Sequence, residues 1–459
     1  MNFNHIKKIH FVGIGGIGMS GIAEILARSG FTVSGCDLKG SSVTERLVRD
    51  GIPVFIGHDA AHLAGVDLVV TSSAIRRDNG ERITAEDIGI EVIRRAEMLG
   101  ELMRLKKGIA ISGTHGKTTT TAMTSVVLQE GGLEPTVIVG GMIREVETNA
   151  QLGAGEYLVV EADEYDRSFL SLHPAVAVIT NIEADHLDTY RDLGDIRDAF
   201  TEFAGHVPAR GVVIGCADDA EVAALLDAVK APKISYGLGE AADLRATNLT
   251  FDREGTKFEV ELRGETLGPA RLKVPGEHNV RNALAAIGVA VHLEIPFAAA
   301  ARALERFGGV ERRFQILGEI NGAILVDDYA HHPTEIRATL AAARRSYPDR
   351  RLIALFQPHL YSRTRDFAEE FGEALSLADL ALVAPIYPAR EEPIAGVDAS
   401  LITRAAEKRG HANVQLIDLS LEEIVAELRK NLVSTDLLLT MGAGDIHRAG
   451  EALAAGGAA

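Results

Sequence analysis

The feature that most constrains this chain is the stretch Lys107-Gly108-Ile109-Ala110-Ile111-Ser112-Gly113-Thr114-His115-Gly116-Lys117-Thr118-Thr119-Thr120-Thr121. A short apolar strand runs into a turn with two glycines, a lysine and hydroxyls, and a helix is expected to follow through Ala122 to Gln129. Such a turn makes a nucleotide-phosphate cradle. Backbone N–H groups of the turn and of the helix N-terminus converge on one anion, Lys117 reaches the β/γ oxygens, and the Thr118 hydroxyl can ligate Mg²⁺. The spacing is unusual, because the common P-loop would put its first glycine at position 111, which is isoleucine here; the glycine comes at Gly113. Gly-Lys-Thr after a strand is also an ordinary strand-to-helix turn. Threonine, however, is a mediocre helix former, and four in a row at a helix start call for a further reason, which phosphate binding supplies.

Composition narrows the classes of function. With 459 residues and about 150 per domain, three domains are expected. The balance of 47 basic to 65 acidic residues gives a formal charge of −18. That charge repels nucleic-acid backbones and anionic membrane surfaces outside a local basic pocket, so small-molecule partners are expected and nucleic acid is not. Two cysteines, Cys36 and Cys216, are too few for a disulfide framework and point to a reducing compartment. No long apolar run follows the lysines of the first ten residues, and no stretch approaches the roughly 18 apolar residues of a membrane span. A cytoplasmic protein without membrane insertion is the expectation.

The chain opens with an apolar strand, Lys8 to Val12, that meets Gly13-Ile14-Gly15-Gly16-Ile17-Gly18; a helix from Met19 to Arg28 and a strand from Val33 to Cys36, ending at Asp37, follow. This is the G-x-G-x-x-G turn of dinucleotide-binding βαβ units, with an acid about 20 residues on. Alone it would predict a nicotinamide-dependent oxidoreductase. The same turn lets any diphosphate approach the backbone and the acid can hold any ribose, so it supports a diphosphate-ribose ligand; a tight turn without a ligand is the plainer reading. Strands at Asp67 to Thr71 and Glu91 to Ile93 continue a parallel sheet, with Ser72-Ser73-Ala74 at a strand end where such sheets bind ligands. The helix Ala96 to Lys106 marks the first domain boundary.

In the second segment, strands at Tyr157 to Val160 and Ala175 to Ile179 deliver Glu161-Ala162-Asp163-Glu164 and Asn181-Ile182-Glu183-Ala184-Asp185-His186-Leu187-Asp188. Acids at the tip of a buried strand beside a phosphate loop suit Mg²⁺, a hard cation that takes oxygen ligands; isolated acids can equally be solvated loop charge. Strands are expected at Val212 to Ile214 and Lys233 to Ser235, and alternation over Lys257 to Arg263 predicts a half-exposed antiparallel strand. Pro275-Gly276-Glu277-His278-Asn279-Val280-Arg281-Asn282 starts an alanine-rich helix on which Asn279 and Asn282 share a face, suited either to reading a base or to capping and solvation. From Glu311 strands and helices alternate strictly, with strands at Ala323 to Val326, Leu352 to Phe356, Leu380 to Val383, Val414 to Ile417 and Leu437 to Thr440. Their C-terminal ends carry Asp327 to Thr334, Gln357 to Arg365 and Gly442 to Asp445, the edge on which open α/β sheets gather active residues.

These segments taken together, from Ser112 to Thr120, Glu161 to Glu164, Asn181 to Asp188, His278-Asn279 with Asn282, and Asp327 to Thr334, resemble the Mur ligases, the ATP-dependent amino-acid ligases of peptidoglycan precursor synthesis. The resemblance implies an α/β protein of three domains: an N-terminal Rossmann-like domain for a UDP-sugar over 1–106, a central P-loop ATPase-type mixed sheet over 107–310, and a C-terminal Rossmann-like domain for the amino acid over 311–459. The glycine run Gly13 to Gly18 with Met19-Ser20-Gly21, together with Gln357-Pro358-His359 and Ser362-Arg363-Thr364-Arg365, implies UDP-N-acetylmuramate, L-alanine and ATP as substrates. A murein tripeptide in place of L-alanine is the near alternative. A P-loop regulatory or motor ATPase would leave both Rossmann-like halves unused, and an oxidoreductase would leave the phosphate loop idle.

The resemblance also implies roles. ATP would phosphorylate the lactyl carboxylate, and the amine of L-alanine would attack the acyl phosphate. Lys117 would neutralise the phosphoryl group within a cradle of Gly113, Thr114, His115, Gly116, Thr118 and Thr119; Thr118 and Glu161 would hold one Mg²⁺ and His186 would help hold another. His278, Asn279 and Asn282 would meet the adenine, and Arg313 and Asp328 the nucleotide. Tyr329, His331, His359 and Arg363 would form the alanine pocket, with His331 and Arg313 also catalytic. Gly13, Gly15, Gly16, Gly18, Asp37, Ser72 and Ala74 would hold the UDP-sugar. A monomer or weak homodimer is expected. In one respect the chain departs from several Mur ligases, which carry a lysine downstream of the histidine matching His186 whose carbamate supports the second metal: Leu187 to Val229 contains no lysine, and the first is Lys230.

Overall fold

The computed structural model describes residues 5–72, 74–143, 148–186, 189–389 and 391–456. Ser73, Leu187 and Asp188 of the segments singled out above lie outside the described residues. Three sheets carry the chain, one after another.

The first sheet is built from β1 (Lys8–Val12), β2 (Thr32–Asp37), β3 (Val54–Ile56), β4 (Leu68–Thr71) and β5 (Glu91–Arg94), in the order β3-β2-β1-β4-β5. Every neighbouring pair is parallel. The order reverses direction between β1 and β4, which opens a crevice beyond their C-terminal ends. The glycine turn leaves β1 and Ser72 leaves β4, so both face that crevice. Gly35 on β2 is required by packing: a Cβ there would lie 2.6 Å from Ile14, whose side chain folds back over the strand.

The second sheet has ten strands: β6 (Lys107–Ser112), β7 (Thr136–Ile143), β8 (Thr148–Gln151), β9 (Tyr157–Glu161), β10 (Val176–Ile179), β11 (Val212–Cys216), β12 (Lys233–Gly237), β13 (Leu244–Asp252), β14 (Gly255–Leu262) and β15 (Glu265–Leu272). Their order is β15-β14-β13-β12-β11-β10-β6-β9-β7-β8, and the sheet is mixed, since β8 runs antiparallel to β7. The placement of β6 matters most. It lies between β9 and β10, parallel to both, so the phosphate loop at its end is flanked by the two acid-bearing loops. Ile109, Ala110 and Ile111 are wholly buried, as expected of a central parallel strand. The following helix begins at Lys117 rather than Ala122 and runs to Glu130, with Thr119, Thr120 and Thr121 buried. Tertiary burial here overrides the weak helical preference of threonine. The helix Arg95–Leu105 turns Met98, Leu99, Leu102 and Met103 into one apolar core shared by the first two sheets.

The third sheet comprises β16 (Gln315–Ile320), β17 (Ala323–Asp328), β18 (Arg351–Phe356), β19 (Leu380–Val383), β20 (Val414–Leu416) and β21 (Asp436–Met441), ordered β16-β17-β21-β18-β19-β20. Separate apolar clusters cover its two faces. Strict alternation of strand and helix does not hold at its start, because β16 pairs antiparallel with β17 as a hairpin. By the density of internal contacts the chain divides into two compact units, Met1–Thr247 with Glu259–Ala270 and Arg281–Arg306, and Asn248–Phe258 with Arg271–Val280 and Phe307–Ala459. Among the described residues, no helix is long and apolar enough to cross a membrane.

Candidate active site

In the first unit, β6 ends in Gly113 and Gly116, both with positive φ of 136° and 83°. A side chain at Gly113 would collide with Thr180 Oγ1, and a Cβ at Gly116 would lie 2.7 Å from Asn282 Oδ1. The loop can therefore be followed only with glycine at these points, and Asn282 sits directly over it. The loop that leaves β10 clasps it from the side. Asn181 accepts from the His115 N–H at 2.8 Å and donates to the His115 carbonyl at 3.0 Å, while the Thr180 hydroxyl donates to that carbonyl at 2.6 Å. Among the described residues, no side chain caps the helix that starts at Lys117, whose N-cap is Gly116. Its first N–H groups are thus left for an anion, with the helix dipole favouring negative charge.

Lys117 is held at the centre. Its Nζ donates to the Gly113 carbonyl at 2.7 Å, to the Thr114 carbonyl at 3.3 Å, and to both Glu164 carboxylate oxygens at 2.8 and 2.6 Å. Burial alone would lower the lysine, but the charges of Glu164, Asp163 and Glu161 outweigh it and hold Lys117 above its ordinary range. Burial likewise pushes the Glu164 carboxyl up to about 7, against the opposing pull of Lys117. Glu164 was one acid among several in sequence; the structure makes it the direct partner of the phosphate-loop lysine. The Tyr190 hydroxyl donates to the Glu164 carbonyl at 2.6 Å and fixes that backbone.

Of the expected metal ligands, Thr118 and Glu161 come together, while His186 lies beside Glu164. Thr118 hydrogen-bonds the Glu161 carboxylate, which accepts from the Gly140 N–H at 2.7 Å; burial raises Glu161 above its usual range. A hydroxyl and a carboxylate side by side at a phosphate-facing helix start are hard oxygen donors and fit Mg²⁺. His186 has φ of 53°, and its Nε2 lies 3.8 Å from Glu164 Oε1, against the edge of Tyr165. Asp166 and Arg167 share this left-handed backbone at 54° and 53°. Arg167 is anchored by Asp195 at 2.6 Å and by the Tyr190 ring.

At the glycine turn after β1, the Gly13 and Ile14 N–H groups donate to the Cys36 carbonyl at 2.9 and 3.0 Å, and the Gly15 N–H donates to Asp37 Oδ2 at 2.8 Å. Asp37 therefore shapes the turn with one oxygen. Ser72 sits beside Gly13, 3.5 Å from where a Cβ would be, and its hydroxyl accepts from the Ala74 N–H. Gly16 starts the helix Ile17–Arg28 without a side-chain cap, a second anion-ready terminus. Gly18 lies against the Arg95 guanidinium.

In the second unit, Asp328 ends β17 and accepts from the Phe314 N–H at 2.9 Å and the Ala330 N–H at 2.8 Å. Burial raises its carboxyl to about 6 despite Arg313. It shapes both segments that carry the neighbouring side chains. Arg312 and Arg313 lie over the Tyr329 ring at 4.9 and 5.4 Å, and Arg313 donates to Glu335 at 3.3 Å. His331 Nδ1 faces the Tyr329 carbonyl at 3.0 Å and Glu335 at 3.2 Å, and its ring lies 6.0 Å from that of His359, which stacks on Tyr387. Leu360, at φ of 71°, turns the chain into the helix Tyr361–Asp366 on which Arg363 is buried. Tyr387, Glu335 and the Gln357–Asp445 pair at 2.9 Å were not foreseen in sequence. In the same unit, His278 lies in the first turn of the helix Glu277–His292, and the Asn279 amide donates to the Pro275 carbonyl at 2.7 Å, bracing the turn that enters it.

A phosphate loop flanked by acids, behind a Rossmann-like sheet and ahead of another, is the layout of an ATP-using ligase. The comparison with family models agrees: the Mur ligase family catalytic domain matches residues 8–107, the Mur ligase middle domain 111–290, and the Mur ligase glutamate ligase domain 312–444. The chain belongs to the Mur ligase family. Among its relatives is the UDP-N-acetylmuramate–L-alanine ligase of Geobacter sp. (strain M21), 48% identical over 98% of both chains. Among solved structures, the UDP-N-acetylmuramate-alanine ligase of Thermotoga maritima matches with a TM-score of 0.82 at 31% identity over 98% of each chain. A murein peptide ligase from Psychrobacter arcticus matches with 0.71 at 27% over the same share of each.

Proposed function

We propose that this chain joins L-alanine to the lactyl carboxylate of UDP-N-acetylmuramate, converting ATP to ADP and phosphate. The observation that carries the reading is the 48% identity over 98% of both chains to a ligase of that name. The phosphate loop and its acid partners support it. ATP as phosphoryl donor and a nucleotide-activated sugar as acceptor imply a cytoplasmic reaction.

A carboxylate becomes electrophilic only after phosphorylation, and two anions must first be brought together. The protein's task is charge neutralisation and positioning. A carboxylate oxygen attacks the γ-phosphorus, ADP leaves with the bridging oxygen, and the resulting acyl phosphate is attacked by the neutral amine; phosphate leaves with the C–O electron pair. Lys117 exchanges Glu164 for the γ-phosphoryl oxygens, and the uncapped N–H groups after Gly116 hold the remaining phosphate charge. Thr118 and Glu161 would hold Mg²⁺, which supplies Lewis-acid stabilisation of the phosphoryl charge. His331 Nδ1 faces two acceptors and therefore carries the proton, which leaves Nε2 basic and able to take the proton of the alanine ammonium. Arg363 pairs the alanine carboxylate. The test is ¹⁸O transfer: lactyl-carboxylate ¹⁸O should appear in released phosphate, and ADP release should need both acceptor substrates. Phosphate free of label would overturn the acyl-phosphate route.

A further inference from the structure

Outside the phosphate loop, the first unit contains a second group of side chains with no part in the reaction above. Glu81, 1% exposed, lies in the first turn of the helix Gly80–Asp87, which is capped by Asn79. Its Oε1 lies 3.0 Å from His10 Nε2 and 3.0 Å from His62 Nδ1; its Oε2 lies 2.8 Å from Cys36 Sγ and 3.1 Å from His58 Nδ1. Cys36 Sγ is 3.2 Å from His58 Nδ1. Four elements distant in sequence, β1, β2, the turn before Leu63 and the helix Gly80–Asp87, thus bring three imidazoles, a thiol and a carboxylate to one point.

We infer that this cluster is a binding site for a divalent transition metal of the zinc class, with His10, Cys36, His62 and Glu81 as ligands. One donor atom from each of the four lies within 4.8 Å of all the others. The edges of a tetrahedron with bonds of about 2.0–2.3 Å are roughly 3–4 Å, so small side-chain adjustments close the site. Softness fits as well: thiolate and imidazole with one carboxylate select zinc-like ions over Mg²⁺ or Ca²⁺. Charge fits too. A thiolate, a carboxylate and two neutral imidazoles sum to −2, which a divalent ion cancels in an interior where unpaired charge is costly. Binding expels the Cys36 proton to solvent and forms the S–metal bond.

The surroundings are those of a built site. The His10 Nδ1 is 2.9 Å from the Ser34 hydroxyl, the outer partner that orients a ligating imidazole. Phe55 stacks on His62 at 4.2 Å. Leu63, Val66, Val69 and Ala85 form an apolar shell around Cys36. His58 and His62, with side chains 15% and 14% exposed, form the entry side, and His58 stands ready as a partner for Glu81 once its other oxygen ligates. A purely structural carboxylate would more simply be met by arginine or lysine, and among the described residues Glu81 has neither. The site lies directly behind the glycine turn, since the Cys36 carbonyl accepts from Gly13 and Ile14.

Cobalt substitution tests this on the full chain. Apo-protein titrated with Co²⁺ should take up one equivalent with visible d–d bands and a near-ultraviolet thiolate-to-cobalt band, displaced by Zn²⁺. Cys36→Ser should abolish the thiolate band and Cys216→Ser should retain it; His62→Ala, on the entry side of the site, should weaken Co²⁺ binding at least about tenfold. A folded wild-type chain without a thiolate band, or a band that survives Cys36→Ser, would overturn the assignment.

Discussion

Glu164→Gln separates two roles of the phosphate-loop lysine. In the structure the ammonium is shared between two backbone carbonyls and a carboxylate whose side chain is 3% exposed. Removing one partner of a buried ion pair costs about 3–5 kcal/mol. Here burial already pushes the Glu164 carboxyl up to about 7, so its ionised form is held at a cost; Lys117 also keeps Gly113 and Thr114 and the glutamine carbonyl accepts one bond, so the loss is expected to stay within about 1 kcal/mol and roughly 3 °C in apparent Tm. Nucleotide binding should respond in the opposite sense. The wild type must part Lys117 from a carboxylate and accept phosphate beside a negative group, whereas the variant parts it only from a neutral amide oxygen and has no negative group there. ADP and ATP should bind about 5- to 30-fold more tightly, equivalent to about 1–2 kcal/mol, measured by calorimetry. The pH profile gives a second reading. Because Glu164 is raised from 4.5 to about 7, the folded chain holds a proton there that the unfolded chain has lost, so this contribution to stability is full below pH 4.5 and disappears as pH rises through 7. The variant should lack that decline. A folded variant with unchanged or weaker nucleotide affinity would refute the claim that Lys117 is exchanged from Glu164 to phosphate.

Gly15→Ala would place a Cβ 2.8 Å from Asp37 Oδ2 and 3.1 Å from Thr44; the KM for UDP-N-acetylmuramate should rise while that for ATP holds, and equal effects would contradict a separate sugar-nucleotide site. Arg363→Ala should raise the L-alanine KM or lower kcat/KM by an amount matching about 2–5 kcal/mol, the scale for a desolvated charge contact; unchanged alanine kinetics would remove Arg363 from the pocket. Turnover should not depend on bicarbonate, because the segment after His186 offers no lysine to carbamylate, and His186→Ala should lower kcat with little change in ATP affinity. Stimulation by bicarbonate in CO₂-depleted buffer would show this to be wrong.

Much of the layout was readable because its signals are local. The phosphate loop, the glycine turn after β1 and the period of strands from Ala323 onward depend on neighbouring residues. What escaped notice depends on distance. Glu164 reads as a solvated loop acid until β9 is placed beside β6, and its backbone is fixed by Tyr190, far along the chain. The hairpin strand β16 carries a register shift near Gly318, whose φ is 142°, and its burial follows no simple alternation. Asp37 fits a ribose-binding acid by spacing, yet one oxygen is spent on the Gly15 N–H. The two asparagines of the helix Glu277–His292 share a face as expected, but Asn279 braces Pro275 while Asn282 lies over Gly116. Spacing located these residues; only the fold shows which partner each one has taken.

Whether the amine substrate is L-alanine is decided by comparing kcat/KM for L-alanine and for the murein tripeptide with saturating ATP and UDP-N-acetylmuramate, following ADP and the mass of the product. The expected product is UDP-N-acetylmuramoyl-L-alanine, with a kcat/KM for L-alanine at least about a hundredfold above that for tripeptide, the discrimination expected where a charged pocket contact is matched or lost. Preference for the tripeptide, or ADP release without either amine, would contradict the assignment of L-alanine.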